Sequence, residues 1–166
     1  MSGLCGWIGH NATVSEGRQL IDRMLEVVVQ FDHHESKTML GANTALAVAD
    51  HDYRTHVYQD GELLVGIWGQ VKFKSDHLNS RVETEGVAKI VADNWRDQGK
   101  KIFAELVGEF CLCIVNGNTN EVTLAIDRLG TRSLSYEVSG DALIFSSTSE
   151  VIFSCVKINK SISENG

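Results

Sequence analysis

A chain of 166 residues is long enough to fold as one domain with a buried core. Its formal net charge of −7 argues against binding to nucleic acid or to an anionic membrane surface, because both partners carry negative charge. No apolar run reaches the length of about 18 residues that a membrane-spanning helix needs, and no basic segment precedes an apolar block at the N-terminus. The cytoplasm is therefore the expected location.

Four cysteines and six histidines are the first candidates for metal ligands. No two cysteines form a CxxC pair, and no histidines stand four residues apart beside a carboxylate, so we expect neither a metal nor another cofactor. Cys111 and Cys113 alternate within an apolar run, which is typical of buried thiols. The segment Asp50-His51-Asp52 lies at a strand end without a Gly-x-Ser-x-Gly elbow, so it is given no catalytic role.

The first half of the chain predicts one helix among several strands. A strand is predicted at residues 3–9, and an amphipathic helix capped by Ser15 then ends near Phe31. Residues 32–37 are predicted to form a polar loop. Further strands are predicted at 45–49, 55–58 and 63–68, with a hairpin turn at Asp60-Gly61.

The second half predicts helices followed by an antiparallel meander. A helix is predicted at 83–95 and a short one at 101–106. Four strands are predicted at 110–115, 122–126, 133–138 and 142–145, and a helical turn at 148–153. Runs of antiparallel strands with two main helices indicate an α+β domain over residues 1–156, with 157–166 as a polar tail or linker.

Three segments carry a resemblance to a known family. Residues 1–9 resemble the start Met-Cys-Gly-Ile-Cys/Ala-Gly-Ile of class II glutamine amidotransferase domains, as found at the start of asparagine-synthetase-type enzymes. Residues 106–112 are similar to the family's Leu-x-Gly-x-Phe-Ala-Phe, and residues 127–136 to its Asp-Arg-x-Gly-x-Lys/Arg-Pro-Leu-Tyr-Tyr. The resemblance implies a four-layer αββα sandwich, the N-terminal-nucleophile hydrolase fold. It also implies that Asp127 and Arg128 fix a turn.

The family's nucleophile is a cysteine that becomes the first residue after removal of the initiator methionine. Its thiol attacks the side-chain amide of glutamine and releases ammonia. Counting from Met1 places Ser2 at this position, which is the favoured alignment. The alternative makes Cys5 the nucleophile and requires removal of residues 1–4.

The resemblance also implies where glutamine would bind, and several of these positions are altered. Thr44 stands where the family has the arginine that grips the substrate carboxylate. Trp68 replaces the asparagine of the oxyanion hole, Gly69 keeps its glycine, and Gln70 replaces a glutamate. Glu83 aligns with the family's aspartate and retains a carboxylate for an α-amine. The nucleophile, the grip on the substrate carboxylate and the oxyanion hole are thus all altered, at Ser2, Thr44 and Trp68. Together these changes predict lost or altered glutamine hydrolysis.

Two functions follow from the altered motifs, and whether the chain is an enzyme stays open between them. In the first, the fold is retained as a docking module or scaffold for an ATP-dependent synthetase, in the same longer chain or separate. In the second, Ser2 or Cys5 hydrolyses glutamine or another amide and passes ammonia to such a partner. A second copy of the chain is a further candidate partner.

Overall fold

The computed structural model describes residues 2–9, 13–30, 35–51, 54 and 56–155. Within these residues there are nine strands: β1 Gly3–Ile8, β2 Ser36–Leu40, β3 Thr44–Ala49, β4 Val57–Asp60, β5 Leu63–Phe73, β6 Leu106–Asn116, β7 Glu121–Ile126, β8 Ser135–Ser139 and β9 Ala142–Ser146. Four α-helices accompany them: α1 Val14–Val28, α2 Asp76–Glu85, α3 Val87–Gln98 and α4 Ser149–Cys155. A 3-10 helix spans Gly99–Ala104.

The strands form two antiparallel sheets. The first sheet has the order β2-β3-β1-β9-β8, and the second has the order β4-β5-β6-β7. In the first sheet β1 lies in the centre, paired with β3 on one side and β9 on the other. The strand β1 is therefore held in the middle of the sheet, and Ser2 directly precedes it.

Three apolar cores separate four layers. One core packs α1 and α4 against the first sheet, through residues such as Ile21, Met24 and Val151. A second core lies between the two sheets. The third packs α3 against the second sheet, with Ile90 and Val91 fully buried. This arrangement is the predicted αββα sandwich, and the fold class is confirmed.

The beginning of α1 differs from the prediction. The N-cap is Thr13 rather than Ser15, because Glu16 stands three residues after Thr13 and completes a capping box. The Glu16 amide donates to the Thr13 hydroxyl, while the Glu16 carboxylate accepts from the Thr13 amide at 2.8 Å. No acidic residue occupies the matching position after Ser15, so that position has only half of the motif.

Two further predictions need correction. The helix predicted at 83–95 is two helices, because Gly86 takes a φ of +82° between α2 and α3 and interrupts the helical backbone. The loop predicted at 32–37 overlaps β2, whose first residues, Ser36 and Lys37, are exposed at the edge of the sheet. A polar edge strand lacks the apolar alternation that would mark it in sequence.

The predicted tail at 157–166 lies outside the described residues. No helix within the described residues is long and apolar enough to cross a membrane.

Candidate active site

Ser2 lines a cleft of about 630 Å³ at the end of β1. The Trp68 indole Nε1–H donates a hydrogen bond to the Ser2 Oγ at 2.9 Å, which joins the two sheets at this point. An indole N–H is a donor only, so Trp68 cannot take a proton from the serine. The favoured nucleophile position therefore lies in the cleft, beside a group that cannot act as its base.

Arg132 lies over the ring of Trp68. Its guanidinium carbon lies 4.6 Å from the centre of the Trp68 ring, within the range of a cation–π contact. Arg132 lines the same cleft as Ser2, and its Nε–H is buried without an acceptor among the described residues. The Nε–H of Arg132 is thus a buried donor without an acceptor among the described residues.

The turn that carries Arg132 is built on Asp127. The Asp127 carboxylate accepts from the Leu129, Thr131 and Arg132 amides and from the Thr131 hydroxyl. These bonds, with that from the Thr131 hydroxyl the strongest, lower the pKa of Asp127 to about 2. The turn-fixing role expected for Asp127 is what this geometry shows, while Arg128 is exposed on the same turn.

Gly69 has a backbone conformation that favours glycine. Its φ is +104°, and a Cβ atom there would lie 2.2 Å from the Glu109 carbonyl oxygen. A side chain is therefore excluded by the close pairing of β5 with β6. The fold therefore requires glycine at position 69, whether or not its N–H takes part in an oxyanion hole.

The Gly69 N–H is already bonded within the protein. It donates to the Asp50 Oδ2 at 3.2 Å, and the Asp50 carboxylate also accepts from the His51 amide at 2.7 Å. The His56 Nδ1 lies 3.5 Å from the same Asp50 oxygen. Burial raises the pKa of Asp50, but the neighbouring His56 ring and the hydrogen bonds from the Gly69 and His51 amides outweigh it and hold the pKa below its usual range. A carboxylate therefore accepts from the N–H to which the resemblance assigns an oxyanion role.

Thr44 does not lie near Ser2. In the β1–β3 register Gly3 pairs with Ala49, whereas Thr44 pairs with Ile8 at the far end of the strand. Five residues of strand separate the two ends, roughly 16 Å. Thr44 is fully buried there, so the structure does not bring this predicted substrate-binding position to the cleft. The residue next after Ala49, at the Ser2 end, is Asp50.

The Cys5 side chain lies on the face of β1 opposite to that of Leu4. Side chains alternate along a strand, so Leu4 enters the core between the sheets while Cys5 enters the core under α1 and α4. Cys5 is fully buried, and burial raises the pKa of its thiol. A reactive cysteine needs exposure and a lowered pKa, and in this structure Cys5 has neither.

Two other predicted site residues lie outside the cleft lining. Gln70 is exposed on β5, and Glu83 is exposed on α2, which packs on the outer face of the second sheet. Of the predicted positions, the structure brings Ser2 and Trp68 into contact, whereas Gly69 follows Trp68 in β5 but is not among the residues that line the cleft.

Sequence reasoning missed Asp50, His56 and Arg132 as parts of this region. The contact of Arg132 with Trp68 joins residues far apart in the chain, and no spacing rule predicts it. The place of Asp50 could have been inferred weakly from sequence. Asp50 directly follows a buried strand, and if that strand is paired antiparallel with β1, its end lies near the start of β1. Within the described residues, no three His, Cys, Asp or Glu side chains group as metal ligands.

Comparison with known proteins agrees with this architecture. Residues 48–154 match the model of a glutamine amidotransferase domain family. No curated protein matches the sequence significantly. Among solved structures, glutamine phosphoribosylpyrophosphate amidotransferase from B. subtilis, complexed with ADP and GMP, is similar with a TM-score of 0.66 at 14% identity, covering 91% of this chain and 43% of that one.

A second similar structure is described as the allosteric regulatory enzyme of purine biosynthesis, with a TM-score of 0.64 at 16% identity. The match covers 92% of this chain and 43% of that one, so the chain spans less than half the length of both proteins. The family match extends over more than half of the sequence, and both likenesses share the αββα fold. The chain therefore belongs to the glutamine amidotransferase domain family, and its type is class II.

Proposed function

We propose that this is a class II amidotransferase-type domain of an asparagine-synthetase-like protein in which glutamine hydrolysis is lost. It serves as a docking module or scaffold for an ATP-dependent synthetase, in the same longer chain or separate. The observation that carries the proposal is the bond from the Gly69 N–H to the Asp50 carboxylate.

An oxyanion hole works because its donors are free to meet the charge that develops in the transition state. Here the Gly69 donor is bonded to Asp50, whose lowered pKa keeps it ionised at neutral pH. A tetrahedral oxyanion at this place would lose the donor and be repelled by the neighbouring carboxylate. Loss of one such donor alone typically lowers the rate by about 10²–10³-fold.

The nucleophile position supports the same conclusion. The Ser2 Oγ accepts a hydrogen bond from Trp68, so one of its lone pairs is engaged. A serine hydroxyl also depends on a general base more than a thiol does, because far less of it is ionised at neutral pH. The α-amine of Ser2 becomes available as a base only after removal of Met1.

The scaffold role rests on what the domain retains. All four layers and the Asp127 turn are formed, while Ser2 and Trp68 depart from the family motifs and the retained Gly69 has its N–H bonded to Asp50. The two similar solved structures are more than twice as long as this chain, which fits a domain that works beside another. The resemblance to asparagine-synthetase-type enzymes suggests that this second part is an ATP-dependent synthetase.

Ammonia release from L-glutamine by the purified chain tests the proposal, with Ser2→Ala and Cys5→Ala as matched controls. We expect no release above that of either variant. Turnover that is robust in the unaltered chain and lost in Ser2→Ala would contradict it. For the scaffold role, the full synthetase should form product equally well from ammonia with Ser2→Ala, and should lose activity when the domain is deleted.

One observation favours the alternative, an amidohydrolase with an N-terminal nucleophile. Ser2 lines a cleft large enough for a small amide. The intact mass of the purified protein reports whether Met1 alone, residues 1–4, or nothing has been removed. An intact Met1 would exclude Ser2 as an N-terminal nucleophile, whereas loss of residues 1–4 would make Cys5 the first residue.

A further inference from the structure

A groove of about 530 Å³ lies where the start of β6 meets the end of β7 and the 3-10 helix. Its lining shares no residue with that of the cleft beside Ser2. Phe103, Phe110 and Ala125 belong to the core between α3 and the second sheet, and they also line this groove. The core is therefore open to the surface here, beside β7 at the edge of the sheet.

Three apolar side chains of the groove are exposed. Leu129 is 86% exposed, Ile126 46% and Val107 40%, and all three belong to the lining. Exposed apolar side chains that occur singly are ordinary on a protein surface, whereas a set grouped around an opening in the core is typical of a protein interaction site.

Leu129 is held in its exposed position by a hydrogen-bonded turn. Its amide donates to the Asp127 carboxylate at 2.9 Å, and the Thr131 and Arg132 amides donate to the same carboxylate. A side chain whose backbone is already fixed loses less conformational entropy on binding than one on a flexible loop. The turn therefore presents Leu129 as a preorganised apolar contact.

The exposed charges of the lining are basic, although the chain has a net charge of −7. They belong to Lys74 and Arg128, which take part in none of the ion pairs between described side chains. Asp127 also lines the groove, but it is 4% exposed and is bonded to its own turn. Lys74 follows β5 and Arg128 follows the end of β7, so the two cations stand on opposite sides of β6.

This charge pattern distinguishes between possible occupants. A second copy bound symmetrically through the same groove would bring Lys74 and Arg128 of the two chains together, and like charges repel. The segment 156–166 of this chain carries Lys157 and Lys160 against one carboxylate, at Glu164, so it is also basic. An apolar segment of another chain with carboxylates on both sides matches the groove in shape and charge.

We propose that this groove docks such an acidic, apolar segment of a partner protein. The inference rests on the proposed function in that it gives the docking role a surface and gives the partner a chemical character. Leu129, Ile126 and Val107 provide the apolar contact, and Lys74 and Arg128 select the charge.

The test is a titration of the ¹⁵N-labelled chain with the peptide acetyl-Glu-Leu-Ser-Leu-Ser-Glu-amide. Saturable shifts are expected at the Val107, Ile126 and Leu129 amides but not at the Trp68 indole, with a dissociation constant on the order of millimolar for so short a probe. A peptide with lysine in place of both glutamates should bind at least about fivefold more weakly. A peptide with serine in place of both leucines should do the same.

Variants with matched controls locate the site on the chain. Leu129→Ser should weaken binding of the acidic peptide at least about fivefold, because the apolar contact is lost. Val14→Ser alters an apolar side chain that is 73% exposed outside the groove, and should leave binding unchanged.

A charge reversal tests the basic side of the groove. Arg128→Glu should weaken binding of the acidic peptide and tighten that of the lysine peptide, each several-fold. Lys37→Glu makes the same change in net charge at an exposed position on β2, outside the groove lining, and should alter neither affinity.

Any of four results would overturn the proposal: no saturable shifts at the groove, equal binding of the acidic peptide and either altered peptide, equal effects of a groove variant and its control, or sedimentation showing that the chain dimerises through this groove. The probe contains no glutamine, so the titration is independent of hydrolysis. Ammonia release from glutamine would contradict the proposed loss of hydrolysis and leave the titration unaffected.

Discussion

Two segments that were matched to family motifs meet where Arg132 stacks on Trp68: the turn at 127–132 and the strand segment at 68–70. They differ in how their backbone N–H groups are hydrogen-bonded. In the turn, backbone donors converge on Asp127 and the local structure is complete. In the strand segment, the Gly69 donor that a hydrolase would leave free is bonded to Asp50. Both segments are thus internally hydrogen-bonded, and the proposed loss of hydrolysis rests on the strand segment and not on the turn.

The largest expected effect comes from Gly69→Ala. The φ of +104° and the 2.2 Å approach to the Glu109 carbonyl leave no room for a Cβ, so we expect a loss of about 3 kcal/mol in the free energy of unfolding. Gly140→Ala is the matched control, because its φ is +60° and no atom lies within 4 Å, and should cost about 1 kcal/mol. Urea denaturation measures both, and equal losses would show that Gly69 is not kept for packing.

Asp127→Ala should have the next largest effect. It removes the acceptor for three amides and one hydroxyl, so the turn should loosen and Arg132 should leave Trp68. The thermal midpoint should fall further than in Asp141→Ala, a change at an exposed aspartate. Tryptophan fluorescence should change in Asp127→Ala alone, and similar behaviour of the two variants would remove the contrast between turn and strand.

The same turn should produce a pH dependence of stability. The pKa of Asp127 is about 2 in the folded chain, against about 3.9 for an unfolded aspartate. Its contribution is fully present above pH 4 and is lost as the pH falls towards 2. Unfolding free energy should therefore decrease more steeply over this window in the unaltered chain than in Asp127→Asn. Parallel curves would show that the carboxylate does not hold the turn.

The smallest expected effect belongs to Trp68→Phe. The change keeps an aromatic ring beneath Arg132 but removes the hydrogen bond to Ser2, which should lower the free energy of unfolding by about 1 kcal/mol. Ser2→Ala removes the same bond from the other side, and a double-mutant cycle in urea isolates their coupling. A loss above about 3 kcal/mol would mean that this contact holds the sheets together.

Much of the fold could be predicted from the sequence, because apolar alternation and turn residues marked most of the strands and the main helices. The edge strand β2 was not predicted in full because its first residues are polar and exposed. The break at Gly86 was not predicted because a single glycine can also occur inside a helix, so the residue alone does not mark a break. The cap at Thr13 was misplaced by two residues, although Glu16 marked it.

The site was harder to predict because its geometry depends on strand register. Ser2 and Trp68 were identified from motif order, and the structure brings them together. Thr44, which was matched to the substrate arginine, lies at the other end of the strand from Ser2 because of the β1–β3 register, and its assignment stays a prediction. Arg132 belongs to a motif that the sequence showed, but its place in the cleft follows from the fold.

The pH dependence of the Gly69 amide resonance tests the central claim most directly. If the Asp50 carboxylate occupies this donor, the Gly69 proton shift should follow a titration with a midpoint below the usual range of an aspartate, and the titration should disappear in Asp50→Asn. A Gly69 shift that does not change through the acidic range, or that titrates equally in Asp50→Asn, would show that the donor is free and would contradict the account.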